Sequence, residues 1–412
     1  MNWSSASTRP PRKLQPPLRD AMPAWMDDEL MAQRRAGLYR RRRHVASAHG
    51  ARVRINGREY INFASNDYLN LASDARLART AAWAAKRFGC GAGASPLVSG
   101  YLPPQRALER ALAEWEGTEA ALTFSSGYAA NVGVLTALAG RGDVIFSDEL
   151  NHASLIDGCR LSRANVQVYR HRDIVHLGDL LLRQGPAARR RFIVSDTVFS
   201  MDGDIAPLME LVELSQRFDA LLVIDEAHAT GVLGEKGTGL TELVPTSRKP
   251  DPDRLVKIGT LSKALGAQGG FVCGTRRLID YLVNTSRPYI FSTALAPPVA
   301  AAAWRAVRLA LSAHERRQHL AELSAMLRAR LPNVIRQDAE LSPIIPIIIG
   351  EANAAVRVSK QLQKRGLLVP AIRPPTVPGG TARLRISLTS GHTTDDAHRL
   401  LTALGEYMHS AR

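Results

Sequence analysis

The stretch LLVIDEAHATGVLG, residues 221–234, runs from a branched apolar segment into polar and small residues. Its first five residues are typical of a buried strand, and that strand ends on Asp225. A carboxylate at the end of a buried strand is costly unless a cation or a hydrogen-bond donor meets it. Two interpretations fit: Asp225 faces a heterocyclic nitrogen that must stay protonated, or it caps a helix while His228 lies on the surface.

Six other short apolar runs surround this one in the middle of the chain. Helical patterns, such as those over 127–139 and 207–218, separate several of them. Strands that alternate with helices predict an α/β fold with a mostly parallel sheet, covered on both faces, and chemistry at the carboxyl ends of the strands. The predicted strands are 120–124, 144–147, 166–169, 192–196, 221–225, 255–259 and 270–273.

Two further regions flank this central part. Residues 51–63, ARVRINGREYINF, place Asn56-Gly57 between alternating residues, which predicts a β-hairpin. After Pro297-Pro298, one long helical pattern over 299–331 leads into predicted strands at 344–349, 367–373 and 382–388, with helices at 352–365 and at the end. We therefore expect an N-terminal tail, arm and hairpin over 1–65, a large domain over 66–296 and a smaller α/β domain over 297–412.

Composition narrows the class of protein. The chain has 412 residues and a net charge of +16, and no apolar run comes near the ~20 residues that span a bilayer. Its basic residues are spread out without interleaved aromatic rings, which argues against nucleic-acid binding. The Pro-, Arg- and Ser-rich start lacks an apolar signal segment, which predicts a disordered tail on a cytoplasmic protein. The three cysteines lack metal-ligand spacing, so we expect no bound metal.

A single lysine stands among small residues in GTLSKALGAQGG, residues 259–270. Most lysines in such a turn are ordinary exposed cations. A lysine that forms a Schiff base must instead be neutral part of the time, which desolvation or nearby positive charge can bring about. The small neighbours of Lys263 would let a flat ring approach the backbone.

Two upstream segments add possible ligand contacts. TFSSGYAANVGVL, residues 123–135, passes from a strand into a helix, and its open turn at Gly127 and Tyr128 would aim backbone N–H groups at an anion. Any strand-to-helix turn looks similar, so this signal is weak alone. His152 follows the next strand and is either a helix cap or a ring that stacks on a flat ligand.

The combination is more specific than its parts. Asp225 ends one strand, His228 follows it, and Lys263 comes after the next strand along the chain. An aspartate paired with a pyridinium nitrogen and a lysine Schiff base are the hallmarks of a pyridoxal phosphate site. The sequence therefore predicts that pyridoxal 5'-phosphate is the cofactor.

A family resemblance supports the same conclusion. The segments that carry it are NFASNDYLNLA, ALERALAEWEGTEAALTFSSGYAAN, DELNHASLIDG, VFSMDGDIAPL, DEAHATGVLGEKGTG, GTLSKALGAQGG and FSTALAPP. In this order, over residues 30–410, they resemble the α-oxoamine synthases. These are fold-type I pyridoxal phosphate enzymes that condense an amino acid with an acyl thioester and release carbon dioxide. The resemblance implies a large domain with a mostly parallel seven-stranded sheet and a smaller C-terminal α/β domain.

The resemblance also implies roles for individual residues. Lys263 would carry the cofactor, Asp225 would pair with its ring nitrogen, and His152 would stack on the ring and contact substrate. The remaining implied contacts are His228 and Ser200 with ring substituents, Gly127, Tyr128 and Thr260 with the phosphate, Ser292 and Thr293 with the phosphate in a partner subunit, Arg41 and Thr376 with the acyl substrate, and Arg385 with the amino-acid carboxylate.

Within the family, residues 371–389, AIRPPTVPGGTARLRISLT, are most similar to members that join L-alanine to a pimeloyl thioester in biotin synthesis. The acyl group would arrive on coenzyme A or on acyl carrier protein, and the enzyme would be a homodimer. Alternatives are a glycine C-acetyltransferase, a 5-aminolevulinate synthase or a sphingoid-base synthase. A cofactor-free partner subunit would lack Lys263. Gln105 stands where many members have histidine.

Overall fold

The computed structural model describes residues 24–185, 187–331 and 342–410. The predicted disordered tail lies outside the described residues. Two compact units divide the chain, 1–42 and 43–412. In the first unit, helix α1 (Ala24–Arg35) is followed by Tyr39, and the Arg34 guanidinium lies 4.5 Å from the centre of the Tyr39 ring.

The second unit begins with the predicted hairpin. Strands β1 (Arg52–Ile55) and β2 (Arg58–Asn62) pair in antiparallel register around Asn56-Gly57. Both turn residues have positive φ, 49° and 77°, as the tightest hairpin turns require. The hairpin prediction is confirmed.

A seven-stranded sheet forms the centre of this unit. In space the strands follow the order β3-β9-β8-β7-β6-β4-β5, and only β9 runs antiparallel to its neighbours. All seven predicted strands are confirmed to within a residue at each end. Their bounds are β3 (Ala120–Phe124), β4 (Val144–Asp148), β5 (Asn165–Tyr169), β6 (Arg191–Asp196), β7 (Ala220–Asp225), β8 (Leu255–Thr260) and β9 (Gly270–Gly274).

Helices cover both faces of this sheet. Alternate residues of β7 show the two-sided burial, because Leu222 and Ile224 join one apolar cluster and Val223 joins the other. The covering helices are α3 (Pro103–Glu116), α4 (Gly127–Leu138), α5 (Ala153–Ser162), α6 (Ile174–Gln184), α7 (Leu208–Arg217) and α8 (Arg276–Thr285). Helix α2 (Ala75–Phe88) precedes them in the chain, and the short α9 (Arg287–Ile290) packs on α4 and α8.

The C-terminal part differs from the prediction at two points. The expected single helix over 299–331 is two helices, α10 (Pro297–Leu311) and α11 (His314–Arg330). Buried Arg317 stabilises the break, since its Nη1 donates a 2.6 Å hydrogen bond to the Ala310 carbonyl at the end of α10. The remaining elements are β10 (Ile344–Gly350), α12 (Ala352–Lys364), β11 (Leu367–Leu368), β12 (Ala371–Ile372), β13 (Ala382–Ser387) and α13 (Thr394–Ser410).

The expected strand 367–373 is the second difference. It is split because Pro370 has no N–H to donate, and its two halves join different sheets. β11 pairs in parallel with β2, whereas β12 pairs antiparallel with β13, which also pairs with β10. The division at 65 and 296 stays a prediction. No helix among the described residues is long and apolar enough to cross a membrane.

Candidate active site

Three strands bring polar residues, among them the predicted Asp225 and Thr260, to one edge of the central sheet. Asp196 ends β6 and Asp225 ends β7, and the two residues are direct partners in the parallel register. Thr260 ends the adjacent strand β8, three residues before Lys263. The carboxyl ends of the strands therefore carry the chemistry, as the topology predicts.

Asp225 is held by two donors in a buried position. Asn131 Nδ2 lies 2.6 Å from Asp225 Oδ2, and the Ala227 backbone N–H donates to Oδ1 at 2.7 Å. Its fractional exposure is 5%. Asp225 is not a helix N-cap, because the chain continues into turns rather than a helix. The two donors hold the carboxylate in one orientation, and a carboxylate is the group that suits contact with a cationic ring nitrogen.

Lys263 is the cation next to this carboxylate. No described residue lies within hydrogen-bond or ion-pair distance of its Nζ. Burial lowers the pKa of Lys263 to about 8, against the opposing charges of Asp225 and Asp196. At pH 8 a substantial fraction of the Lys263 side chains is therefore neutral, and a neutral amine is able to act as a nucleophile or a base.

The glycines after Lys263 have a structural reason. A Cβ on Gly266 would lie 2.3 Å from the Ala72 backbone nitrogen, and one on Gly270 would lie 2.5 Å from the Ser126 carbonyl oxygen. Both positions are close contacts between backbones. The scarcity of side chains around Lys263 thus reflects packing at these two glycines, in addition to any space for a flat ligand.

His228 lies deep in the same cluster. Its Nδ1 is 2.6 Å from the hydroxyl of Tyr68, and both side chains are buried. Burial holds the pKa of His228 well below its ordinary value, and the positive charges of Lys263 and Arg385 add to that effect. A neutral imidazole follows, so its second nitrogen is available for a ligand. The interpretation of His228 as a surface histidine is excluded by this burial.

His152 both caps a helix and exposes its side chain. It is the N-cap of α5, where its Nδ1 lies 2.6 Å from the Ser154 hydroxyl, yet its ring is exposed. Its backbone N–H donates to Asp196 Oδ2 at 2.6 Å. Both interpretations of His152, helix cap and available ring, are therefore compatible with the structure.

The turn before α4 has the form of an anion site. Ser126 caps the helix by accepting from the Ala129 N–H, which leaves the Gly127 and Tyr128 N–H groups without intrahelical acceptors. A Cβ on Gly127 would lie 3.3 Å from Thr260 Oγ1. Thr260 is thus a direct neighbour of this helix N-terminus, with its hydroxyl donating to the Gly269 carbonyl at 3.0 Å. The free N–H groups of the turn suit a phosphate.

Arg385 provides an unused donor. It is 5% exposed, and its Nε donates to the Ser200 carbonyl while Nη1 donates to Asn66 and Ser387. Its Nη2 is buried and has no partner among the described residues. A buried guanidinium nitrogen without a partner is costly, and an anion such as a carboxylate would satisfy it.

The side chains of the remaining predicted residues make no contact with this cluster among the described residues. Thr376 and Thr293 are exposed, Ser292 is half-buried, and Tyr128 directs its hydroxyl to Asp157 at 2.5 Å. Arg41 lies in the first unit, where its guanidinium is 5.6 Å from the centre of the Tyr39 ring. The described residues include no group of three or more side chains placed to bind a metal.

Sequence reasoning missed three buried members of the cluster. Asn131 contacts Asp225, and Tyr68 contacts His228. Asp196 lies beside Asp225 on the neighbouring strand. Burial, together with the charge of Asp225, raises the pKa of Asp196 well above its ordinary value. One signal was available: Asn131 is a polar residue in the otherwise apolar stretch AANVGVL.

Known proteins resemble this chain over almost its full length. The model of the class I and II aminotransferases matches residues 58–404. The 8-amino-7-oxononanoate synthase of Anaeromyxobacter dehalogenans is 49% identical and covers 92% of this chain and 94% of its own. The enzyme named 8-amino-7-oxononanoate synthase 2 in Bacillus subtilis is 44% identical and covers 94% of this chain and 98% of its own.

Solved structures show the same architecture. Serine palmitoyltransferase of Sphingomonas wittichii superposes with a TM-score of 0.88 at 33% identity, covering 95% of this chain and 99% of its own. The S. paucimobilis enzyme, solved with bound PLP, gives 0.87 at 28% identity, covering 94% and 97%. The 8-amino-7-oxononanoate synthase of Francisella tularensis gives 0.74 at 29% identity, covering 85% and 98%.

Proposed function

The chain belongs to the class I and II aminotransferase family, and we propose that it condenses L-alanine with a pimeloyl thioester. The products are 8-amino-7-oxononanoate, carbon dioxide and the free thiol carrier. The enzyme is a pyridoxal-phosphate-dependent acyltransferase of biotin synthesis. The observation that carries the proposal is the amine of Lys263 near Asp225, which has no partner among the described residues, on a chain 49% identical to an 8-amino-7-oxononanoate synthase.

The described residues fit the cofactor at both of its ends. The N–H groups of Gly127 and Tyr128 and the hydroxyl of Thr260 would hold its phosphate, with Ser292 and Thr293 contributing to the site of a partner subunit. Asp225 would hold the proton on its ring nitrogen, while Asn131 keeps the carboxylate in place. When bound, pyridoxal phosphate supplies an electron sink that stabilises negative charge at the amino-acid Cα.

Lys263 has two tasks in this proposal. It would hold the cofactor between turnovers, and its Nζ would remove the Cα proton of the bound alanine. Both tasks need the neutral amine, and a pKa of about 8 supplies it near neutral pH. Since no described residue forms an ion pair with its Nζ, the side chain is able to move between the two tasks.

The remaining residues bind and orient the reactants. Arg385 would pair its buried Nη2 with the alanine carboxylate, and the exposed ring of His152 would cover the cofactor and contact substrate. Neutral His228 and Ser200 would contact substituents of the cofactor ring. Arg41 and Thr376 would meet the acyl chain. We further propose a cytoplasmic homodimer that accepts its acyl group from coenzyme A or acyl carrier protein and binds neither nucleic acid nor membrane.

Side-by-side turnover tests the substrate assignment. Purified holoenzyme would be given L-alanine with pimeloyl-coenzyme A, glycine with acetyl- or succinyl-coenzyme A, and L-serine with palmitoyl-coenzyme A, while thiol release is followed. The serine arm is included because serine palmitoyltransferases are close in structure. We expect the first pair to react at least about tenfold faster in kcat/KM than the others, a preference of about 1.4 kcal/mol. Preference for another pair would reject the assignment.

A further inference from the structure

His171 lies between two buried carboxylates outside the cofactor cluster. Its Nδ1 is 2.9 Å from Asp148 Oδ1 and its Nε2 is 2.7 Å from Asp204 Oδ2. The side chain is 9% exposed, and both carboxylates are 1% exposed. Because a carboxylate accepts hydrogen bonds, both ring nitrogens must donate, and the ring is an imidazolium.

The surroundings of His171 maintain this charge. Burial alone would lower its pKa, but the hydrogen bonds to Asp148 and Asp204 outweigh it and raise the pKa to about 9. The ring packs edge-on against Phe199, with centroids 4.4 Å apart, and the His171 backbone N–H donates to Glu149. Charge-assisted bonds at both nitrogens fix the ring in one orientation.

The two carboxylates belong to different segments of the site. Asp148 ends β4 and accepts from the Leu150 N–H, at the start of the segment that leads to His152. Asp204 closes a tight loop, here called the 199–204 loop, whose ends meet through the bridge between Val198 and Ile205. The Phe199 N–H donates to the Asp204 carbonyl within this loop at 3.0 Å.

The 199–204 loop holds two arginines of β13. The Ser200 carbonyl accepts from Arg385 Nε, and Asp202 Oδ1 accepts from Arg383 Nη1 at 2.6 Å. The loop also packs closely on β10, since a Cβ on Gly203 would lie 2.4 Å from the Ile344 carbonyl oxygen. A shift of the loop would therefore displace the Ser200 carbonyl, one of the three acceptors that orient the guanidinium of Arg385.

We propose that His171 is a positioning residue for amino-acid recognition. By bridging Asp148 and Asp204 at 2.9 and 2.7 Å, next to the longer 3.4 Å contact of Arg172 with Asp204, it fixes the 199–204 loop to the end of β4. Through Ser200 it helps to set the place of Arg385. This inference rests on the proposed function, in which Arg385 binds the carboxylate of alanine. Loss of the His171 bridge would weaken the binding of ligands that carry a carboxylate. The binding of ligands without a carboxylate would be unchanged.

The test compares L-alanine with L-alaninamide, which lacks the carboxylate. The cofactor absorbance of holoenzyme would be titrated with each ligand in wild type and in His171→Gln, whose neutral amide cannot bridge both carboxylates. We expect about tenfold weaker binding of L-alanine, the scale of one charged hydrogen bond, with unchanged binding of L-alaninamide and unchanged cofactor content. His176→Gln, five residues along, is the matched histidine control and should bind both ligands as wild type does.

Arg385→Gln is the positive control and should bind L-alanine more weakly than wild type while binding L-alaninamide equally well. The inference is overturned if His171→Gln binds L-alanine as tightly as wild type, or if it loses both ligands equally, which would indicate a structural role alone. A wild-type spectrum unaffected by L-alanine would instead overturn the proposed function and this inference with it. If His171→Gln does not fold, Asp204→Asn removes the other side of the bridge and must give the same selective loss.

Discussion

Asn131 donates a 2.6 Å hydrogen bond to Asp225, and both residues are at least 95% buried. Asn131 lies one turn into α4, the helix whose N-terminus forms the proposed phosphate site. One helix therefore contributes to both ends of the proposed cofactor site. The ring-nitrogen partner and the phosphate site are consequently fixed relative to each other.

Replacing Asn131 with alanine should weaken cofactor binding. The substitution removes one donor to a buried carboxylate, a change worth about 1.5–3 kcal/mol, so we expect the dissociation constant of pyridoxal phosphate to rise at least about tenfold. Equilibrium titration of apoenzyme would measure it. Asn284→Ala, which removes an exposed side chain on α8, should have no effect. Equal affinities of wild type and Asn131→Ala would contradict this role.

The charge on His171 should make stability depend on pH. A group whose pKa is raised on folding, here from 6.5 to about 9, stabilises the native state fully below pH 6.5 and loses that contribution as pH rises through 9. The shift corresponds to at most about 3 kcal/mol. Urea unfolding of wild type and His171→Gln should therefore show a difference that shrinks between pH 6.5 and pH 9.5. A difference that stays constant would show that the ring does not titrate in this range.

The buried ion pair between Lys257 and Glu116 should contribute to the stability of the fold and not to the reaction. Lys257, on β8, lies 2.5 Å from Glu116 Oε2 and donates to Thr241 Oγ1 at 2.7 Å. Burial raises the pKa of Glu116 to about 7, with the charge of Lys257 opposing that rise. Lys257→Met would leave the carboxylate buried without its cation and should cost about 3 kcal/mol in the free energy of unfolding.

Denaturant titration would measure that cost, with Lys236→Met as the exposed control. The double variant Lys257→Met/Glu116→Leu should recover part of the loss, because it removes both charges together. A single variant as stable as wild type would mean that the pair contributes nothing. Cofactor affinity should be unchanged in all three variants.

The sheet was predictable because its strands are short apolar runs that end on polar residues. Asp225 ends its strand where the sequence pattern places it, and the next strand ends at Thr260, one residue beyond the predicted end, so Lys263 could be assigned to the same edge. The break between α10 and α11 was not predictable, because it depends on Arg317, whose side chain reaches the end of the preceding helix. Sequence periodicity alone cannot report such a contact.

The site residues that the sequence did not predict are those that make contacts with residues far away in the chain. Tyr68 meets His228 across 160 positions, and Asp204 meets His171 across 33. Neither pair has local spacing that would reveal it. The role of the glycines near Lys263 was interpreted incompletely for the same reason, since Gly266 packs against Ala72 in a distant segment.

The attachment of the cofactor to Lys263 is the central claim. Lys257 is a buried lysine nearby and provides a matched alternative, because it lies on the strand that leads to Lys263. The most direct measurement is to reduce the holoenzyme with borohydride and locate the pyridoxyl group by peptide mass spectrometry. We expect the label on Lys263, no covalent label in Lys263→Ala, and full labelling in Lys257→Met. A label on Lys257 or on another residue, or covalent labelling that persists in Lys263→Ala, would contradict the account.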